Sequence, residues 1–381
     1  MSFEIHEFSK ISVLPFTRWF NPHQGGPLWP DWDHAIEQRH CRNGKPNDIP
    51  PATSGNDDLF PTNTPGFWCG PIHYHFGHQI LEFSTRIPVY MNHLKEHQKL
   101  VFGALTNQSE SLKDQPTFFR QILDWYAIPE KSVMIKSEPT IFEKLSCVQQ
   151  QEQWLDVPGS ENYIELLSNH TRKRLNRPCN SGLKVYVSRA CLADKTMAGE
   201  GYLEEFLAAN GFMIIHPEKI SLIEQLSTYN NADFLLFSEG SAVHCLQLLG
   251  MIKAKIVILS RRKNRPIAKE ILSTRCQELY HFDNIKGILD TVWAENKIAH
   301  WKALTILKQV GLKRSLKSLG VEMSNWSNND FMNAVENDIR SWINTQLQLP
   351  NFEKNNGIKV LKRSLNTLNM SSKSYLNSIS D

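Results

Sequence analysis

The sequence has 381 residues, of which 41% are hydrophobic and 21% are charged. This length fits two domains better than one, and the composition excludes a disordered or fibrous protein. The 42 basic and 39 acidic residues leave a net charge of only +3, which disfavours nucleic acid as a partner. The longest apolar runs, such as residues 234–237, are the size of strands, so the sequence predicts no transmembrane segment.

The N-terminus and the cysteines both favour a cytoplasmic protein. The first residues lack the basic stretch and apolar run that mark a secretory signal. The seven cysteines show no CxxC spacing, and their odd number argues against a complete disulfide framework or a zinc knuckle. We therefore expect reduced thiols in a cytoplasmic protein, and a peripheral contact with the inner face of the membrane stays open.

The first 150 residues show two kinds of pattern. Up to residue 71 the chain is rich in Pro, Gly, Asn, Asp and Trp without periodicity, which predicts an irregular, loop-dominated segment. Apolar residues at 76, 80, 81 and 83 predict an amphipathic helix over 74–86. The segments that follow alternate as in an α/β lobe. They are predicted strands at 100–105, 132–135 and 141–148, and a predicted helix at 118–126.

Alternation is clearer from residue 183 onwards. Four short apolar runs are separated by helical segments, which predicts a parallel, Rossmann-like sheet. Ser221 and Glu224 form a capping box at the start of one of these helices. The predicted strands are 184–188, 212–215, 234–237 and 256–259, and the other helices are 201–210 and 242–249. After residue 300 the pattern predicts helices at 301–319 and 329–347, then a weakly ordered stretch over the last twenty residues.

The turn at 238–241 is the best candidate for a ligand site. Ligands of open parallel sheets bind beyond the carboxyl ends of the strands. Gly240 lets the backbone approach a ligand, and Ser241 with the following N–H groups offers donors to an anion. Glu239 would repel a phosphate, so it is better suited to accept hydrogen bonds from sugar hydroxyls. An ordinary strand–helix turn capped by serine explains the same residues.

Several cations surround this prospective anion site. Arg189 directly follows the first predicted strand, where its guanidinium fork would hold a diphosphate. Lys195 and Glu200 share the loop that follows, and three basic residues at 261–263 crowd the end of the fourth strand. A solvated surface with no ligand would show the same charges.

The first lobe carries three histidines in an HxHxxH run, at positions 73, 75 and 78. Such a run can hold a metal ion, but no acidic or cysteine partners stand at ligand spacing. The alternative is a general base, because the ordinary pKa of histidine lies near neutral pH. His78 and Glu82 are spaced i, i+4, so the carboxylate would orient the imidazole. A structural pair of partly buried polar residues has the same spacing.

An ordered set of motifs resembles glycosyltransferase family 61, also called DUF563. The set is Tyr186-Val-Ser-Arg189, Glu200, Gly211-Phe212, Pro217-Glu218, Ile220-Ser221 with Glu224-Gln225, Ala232-Asp233, and Glu239-Gly-Ser-Ala242 with His244. Residues 78–86 resemble the N-terminal histidine-containing helix of that family, and residues 126–129 resemble its connecting segment. Glu239 stands where the family often has histidine.

The resemblance implies a GT-B-like α/β fold: two Rossmann-like lobes that face a cleft, here with a helical C-terminal extension. It implies inverting sugar transfer from a nucleotide-sugar donor to a glycan or surface-polysaccharide acceptor, without a metal ion or another cofactor, as in bacterial capsule assembly. We expect His78 and Glu82 to be catalytic. Donor binding is then expected from Arg189, Lys195, Glu200, Glu239, Gly240, Ser241 and His244.

These expectations divide the chain into three parts: an N-terminal acceptor lobe over 1–178, a donor lobe over 179–300 and the extension over 301–381. Two other classes of protein remain open. One is a polysaccharide pyruvyltransferase or a similar group transferase, and the other is a non-catalytic carbohydrate-binding subunit. The sugar, the nucleotide, the linkage and the oligomeric state are not determined by the sequence.

Overall fold

The computed structural model describes residues 3–18, 22–51, 60–91, 93–95, 97–154, 157–175, 182–192, 196–294, 297–352 and 354–376. Within them the chain forms a mixed α/β structure with two main sheets. None of the helices in these ranges is both long and apolar enough to cross a membrane.

The first sheet is mixed and is built from the N-terminal part of the chain. Its order is β5-β2-β1-β10-β7-β8-β9, and β6 pairs with β10. Strands β1 and β10 are antiparallel, with Ile5 opposite Val148, whereas β7, β8 and β9 are parallel. Its strands are β1 (Ile5–Arg18), β2 (His23–Pro27), β5 (Asp48–Ile49), β6 (Phe60–Thr62), β7 (Gly66–Pro71), β8 (Lys99–Gly103), β9 (Val133–Lys136) and β10 (Thr140–Val148). Strands β3 (Cys41–Arg42) and β4 (Lys45–Pro46) form a separate antiparallel pair.

The loop-dominated segment predicted up to residue 71 is therefore wrong. Strand β1 alone has 14 residues, and it buries Ile11, Val13 and Phe16 against Trp29 and Trp68. Its polar first half is stabilised by pairing with β10, which lies far away in the sequence. Local periodicity does not report such long-range pairing.

The helix predicted over 74–86 is broken into shorter pieces. Helix α1 (Phe76–His78) continues as a π-helix over Gln79–Phe83, and α2 (Ile87–Tyr90) follows after a turn. All five residues of the π-helix are buried, so this segment is not amphipathic. Helices α3 (Thr117–Trp125) and α4 (Glu161–Arg174) complete this part of the chain, and α3 confirms the helix predicted at 118–126.

The second sheet has five strands, all parallel, in the order β12-β11-β13-β14-β15. This confirms the predicted parallel sheet and adds a fifth strand. The strands are β11 (Lys184–Val187), β12 (Phe212–Ile215), β13 (Phe234–Ser238), β14 (Lys255–Leu259) and β15 (Leu279–Phe282). The chain order reverses between β11 and β13, so the loops after these two strands open at the switch point of the sheet.

Helices connect the parallel strands. They are α5 (Glu200–Ala209), α6 (Leu222–Asn231) and α7 (Lys269–Ser273). The capping box is confirmed, because the Ser221 side chain accepts from the Glu224 backbone while Glu224 accepts from the Ser221 backbone. The segment predicted as a helix at 242–249 is a 3-10 helix over Ser241–Leu248.

The C-terminal part contains strands as well as helices. Its elements are β16 (Ile285–Leu289), β17 (Val292–Ala294), β18 (Lys297–Ile298), β19 (Leu304–Leu307), α8 (Gln309–Ser318), α9 (Asn328–Leu347), α10 (Gly357–Thr367) and α11 (Ser372–Leu376). The helix predicted at 301–319 is wrong in its first half, because β19 pairs there with β16. The predicted weak order is wrong up to residue 376, since α10 buries Leu361 and Leu365 completely; residues 377–381 lie outside the described ranges.

Two hydrophobic cores lie on opposite faces of the parallel sheet. Successive strand residues point to opposite faces. Val185 and Val187 therefore join the core shared with the first sheet, whereas Tyr186 points into the core formed with the C-terminal helices. The second sheet is thus packed between the core that it shares with the first part of the chain and the core that it shares with the C-terminal elements.

Candidate active site

A histidine and a buried carboxylate meet at the start of the π-helix. The Nδ1 atom of His78 lies 2.6 Å from Oε1 of Glu82, as the i, i+4 spacing predicts. Glu82 is completely buried at its side chain, while the side chain of His78 is 22% exposed. Because Nδ1 faces the carboxylate, Nε2 is the ring nitrogen left for a substrate proton.

Glu82 also holds two residues that the sequence did not single out. Its Oε2 atom accepts hydrogen bonds from Nε2 of His40 at 3.0 Å and Nε of Arg42 at 2.6 Å. Burial alone would raise the pKa of Glu82, but the hydrogen bonds from His40, His78 and Arg42 outweigh it and hold the pKa well below its ordinary value. An ionised Glu82 accepts a hydrogen bond from Nδ1 of His78 and so orients the imidazole ring.

Ligand atoms of His23, His40 and Glu82 lie close enough together to hold a metal ion. A cation already occupies this place, however. Arg42 donates from Nε to Glu82 and from Nη2 to Nε2 of His23 at 3.3 Å. Burial, followed by repulsion from His40 and Arg42, lowers the pKa of His23 to about 2, so this imidazole is neutral. Arg42 thus supplies the positive charge that balances Glu82.

The HxHxxH run is not arranged as a metal site. Nδ1 of His73 accepts from the backbone N–H of His75 at 3.0 Å, and Nδ1 of His75 accepts from that of His78. Among the residues that the structure describes, these three histidines do not form a group of converging ligand atoms. Burial, then repulsion from His78, lowers the pKa of His73 to about 4 and also lowers that of His75.

At the end of β13, Glu239 holds two arginines. Its side chain is fully buried, Oε2 accepts from the backbone N–H of Arg261 at 2.6 Å, and Oε1 accepts from Nε of Arg262 at 2.7 Å. Glu239 thereby fixes the position of Arg262, while its contact with sugar hydroxyls stays a prediction. The side chain of Arg262 remains 42% exposed and is available to an anion.

Arg189 lies over the neighbouring glycine. A Cβ atom at Gly240 would stand 2.9 Å from both Cδ and Cζ of Arg189. Burial lowers the pKa of Arg189, and nearby carboxylates, Glu200 first, oppose this shift. Glu200 lies beneath the loop, 2% exposed, where it accepts from the Arg189 backbone N–H at 2.9 Å and the Tyr186 hydroxyl at 3.0 Å. Glu200 therefore positions Arg189 instead of facing a ligand, and Lys195 lies outside the described residues.

A cationic cavity of about 260 Å³ adjoins these arginines. Its polar lining comes mainly from Arg261, Arg262, Lys263, Arg265 and His300. Arg261 is only 8% exposed, and burial followed by repulsion from Arg189 lowers its pKa to about 10. The basic residues at 261–263 are thus not simply a solvated surface. A cavity lined this way suits a phosphate or diphosphate group.

His244 lies where the two halves of the chain meet. A Cβ atom at Gly77 would lie 3.1 Å from Oγ of Ser241 and 3.3 Å from Cδ2 of His244. Helix α1, which carries His78, therefore packs directly on the 3-10 helix that follows Gly240. The structure brings the histidine–carboxylate pair and the predicted anion turn together.

A buried chain of contacts fixes the ring of His244. Its Nδ1 donates to Oε1 of Gln247 at 2.7 Å, and Nε2 of Gln247 donates to Glu152 at 3.1 Å. Glu152 is in turn paired with the fully buried Arg275. Burial lowers the pKa of His244 to about 4, although the Gln247 hydrogen bond opposes this. His244 is thus neutral near pH 7, and its Nε2 is an acceptor.

The contacts of Arg42, Glu152 and Arg275 were not predictable from sequence spacing. Arg42 meets Glu82 across 40 positions, and Arg275 meets Glu152 across 123 positions. The only signal in the sequence is the presence of charged residues in segments that turn out to be buried. Such residues need partners, but the sequence does not say which.

A parallel sheet with arginines at its switch point lies beside a histidine–carboxylate pair, an arrangement that is typical of α/β enzymes. Residues 76–249 match the family model described as Glycosyltransferase 61, so this part of the chain is a glycosyltransferase 61 domain and the protein is a transferase. The match spans His78, Glu82, Arg189 and the turn at 239–244, but not the arginines at 261–265. A comparison with curated proteins gave no match.

Proposed function

We propose that this protein is an inverting glycosyltransferase that moves a sugar from a nucleotide-sugar donor to a glycan hydroxyl, with no metal ion in the transfer step. The family domain supports glycosyl transfer in general. The observation that carries the finer proposal is the packing of helix α1 on the turn after Gly240, because it sets a candidate base beside a candidate anion site.

The donor diphosphate is assigned to the carboxyl edge of the parallel sheet. Arg189 lies at this edge in the loop after β11 and Arg262 in the loop after β14, and the cationic cavity extends the site. Ser241 begins the 3-10 helix, so its hydroxyl and the adjacent backbone N–H groups are donors for a phosphate oxygen or for the sugar. These cations supply the charge that a metal ion would otherwise bring to the leaving group.

The acceptor is assigned to the first part of the chain, beside His78. Trp154 contributes to this side: its ring meets His78 edge-on at 4.9 Å between centroids, and Arg42 stacks 4.5 Å from the centre of the indole. Trp154 is 36% exposed although two side chains hold it. A fixed, exposed indole beside the base is a suitable surface for a sugar ring.

The transfer then follows as a single displacement. Nε2 of His78 takes the proton from the acceptor hydroxyl while the hydroxyl oxygen bonds to the anomeric carbon of the donor sugar. The bond from that carbon to the diphosphate oxygen breaks with its electron pair, and the arginines stabilise the charge that develops. One in-line displacement inverts the anomeric centre. Glu82 stays ionised and stabilises the imidazolium of His78.

We also propose the GT-B arrangement, with an acceptor lobe up to residue 178, a donor lobe over 179–300 and the remaining residues as support for the donor lobe. Packing of α9 and α10 against the second face of the parallel sheet supports that last role. Surface-polysaccharide assembly is the setting that the family resemblance favours, and a cytoplasmic location remains a prediction from the sequence.

Thermal unfolding in the presence of a nucleotide panel tests this function. A ligand that binds only the folded state raises the melting temperature. We expect nucleoside diphosphates and their sugar conjugates to raise it, with the same shift whether or not Mg²⁺ is added. Protection by phosphoenolpyruvate alone would instead support a pyruvyltransferase, and a shift that appears only with added Mg²⁺ would contradict metal independence.

A further inference from the structure

A second group of polar side chains converges at the outer edge of the parallel sheet, away from His78. Cys191 lies in the loop after β11, His216 directly follows β12, and Glu218 lies in the short 3-10 helix after it. One ligand atom from each of these residues lies within 4.8 Å of the others. The Sγ atom of Cys191 is 3.8 Å from Nε2 of His216.

The chemical types of these ligand atoms and the distance between them fit zinc. Zinc binds sulfur at about 2.3 Å and imidazole nitrogen at about 2.0–2.1 Å, which in tetrahedral geometry sets the two ligand atoms about 3.5 Å apart. Thiolate, imidazole and carboxylate together are typical of zinc rather than of magnesium or calcium, which prefer oxygen ligands alone.

A fourth side chain, that of Glu204, indicates that a cation binds here. Oε1 of Glu204 on α5 is buried without a hydrogen-bond partner. The same atom lies 3.5 Å from Nε2 of His216. The contact with His216 is at ion-pair distance and is not a hydrogen bond, and a buried carboxylate oxygen without a hydrogen bond calls for a specific explanation, such as a bound ion. A zinc ion in this group would lie close enough to compensate its charge.

We propose that Cys191, His216 and Glu218 bind a zinc ion, with Glu204 beside it. Nζ of Lys219 lies 3.0 Å from Sγ of Cys191, and because this lysine is exposed its side chain has room to turn away when the metal binds. The ion ties the loop after β11 to the loop after β12. Because Arg189 begins the first of these loops, the site braces the donor side of the sheet and takes no part in proton transfer.

Direct titration of the full-length, metal-free protein with Zn²⁺ tests the site. We expect one ion per chain by calorimetry, and with Co²⁺ a thiolate charge-transfer absorption band. Cys191→Ser and Glu218→Gln should each weaken Zn²⁺ binding at least about tenfold, and Cys191→Ser should abolish the Co²⁺ band. Cys276→Ser is the matched control, because that thiol bonds to the carbonyl of Leu272 and lies outside the group.

Two results would overturn the proposal: no Zn²⁺ uptake by the wild-type protein, or unchanged affinity in Cys191→Ser. Cys191 is exposed, so this variant is expected to fold, and its thermal unfolding verifies that. Glu218→Gln is an independent check through an exposed carboxylate. Neither readout depends on glycosyl transfer, so the outcome is separate from the proposed function.

Discussion

The guanidinium of Arg189 covers Gly240 so closely that a side chain at position 240 would overlap it. These residues lie in the loops that follow two neighbouring strands, β11 and β13, at the point where the strand order reverses. Gly240 has an extended backbone, with φ near −176°, so its role is to leave room and not to relieve strain. The absence of a side chain there is what lets Arg189 reach the turn.

Gly240→Ala should displace Arg189 and weaken nucleotide binding. A Cβ atom would come within 2.9 Å of Cδ and Cζ of Arg189, and the flexible arginine would turn away. Loss of one charge-assisted hydrogen bond predicts about tenfold weaker affinity in calorimetry. Gly201→Ala is the matched control, because nothing lies within 4 Å of its added Cβ and it sits in a helix. Equal affinity in both variants would contradict the role of Arg189.

Arg262→Ala should also weaken binding of nucleoside diphosphates, by about tenfold or more. Glu239→Gln should have a smaller effect of the same sign, because it loosens Arg262 without removing it. Arg314→Ala, on the exposed side of α8, controls for the loss of one positive charge. If Arg314→Ala lowers the affinity as much as Arg262→Ala, general charge rather than the cationic cavity attracts the nucleotide.

The buried pair of Glu152 and Arg275 should show strong energetic coupling. Both side chains are almost completely buried. Arg275→Met leaves Glu152 charged and unpaired, which predicts a loss of about 3–5 kcal/mol in the free energy of unfolding. Glu152→Gln combined with Arg275→Met should cost less than the sum of the single changes by about 1 kcal/mol or more. Additive losses in urea denaturation would mean that the two residues do not interact.

Stability should fall as the pH is lowered from about 6.5 towards 4. The pKa of His244 and that of His73 are each about 4 in the folded protein, because burial disfavours their charged forms. The unfolded chain binds protons in this window and the folded chain does not, so acid favours unfolding. Each histidine contributes at most about 3 kcal/mol across the window.

His244→Asn should therefore flatten the dependence of the unfolding free energy on pH between 6.5 and 4. The comparison uses the slope, since the substitution also lowers stability at neutral pH by breaking the contact with Gln247. A variant with the wild-type slope would show that His244 protonates as readily in the folded protein as in the unfolded chain.

The parallel sheet was predictable because its signals are local. Strands β11 to β14 are short apolar runs, and the helices between them begin and end at recognisable residues, such as the Ser221 capping box. The pair of His78 and Glu82 was predictable for the same reason, since four positions separate them whether the turn is α or continues as a π-helix.

Long-range pairing accounts for most of what the sequence did not predict. Strand β1 is stabilised by β10, and its composition with Pro15 and several polar residues gives no strand signal by itself. The apolar run at Leu304–Leu307 is too short for its sequence pattern to distinguish a strand from a helix. Its pairing with β16 makes it a strand. The contacts of Glu239 with two arginines were not predictable, because those arginines lie more than twenty positions away in the sequence.

The rate of nucleotide release by His78→Ala tests most directly whether His78 is the general base. The assay supplies acceptor glycans and the nucleotide sugar that best protects the protein from unfolding. Removal of a general base predicts a rate about 10²–10⁴-fold below wild type. Nucleotide affinity should stay within about threefold, since our proposal assigns the diphosphate to arginines in the loops of the parallel sheet and not to His78. A folded His78→Ala protein that releases nucleotide at the wild-type rate would contradict the assignment of His78 as the base.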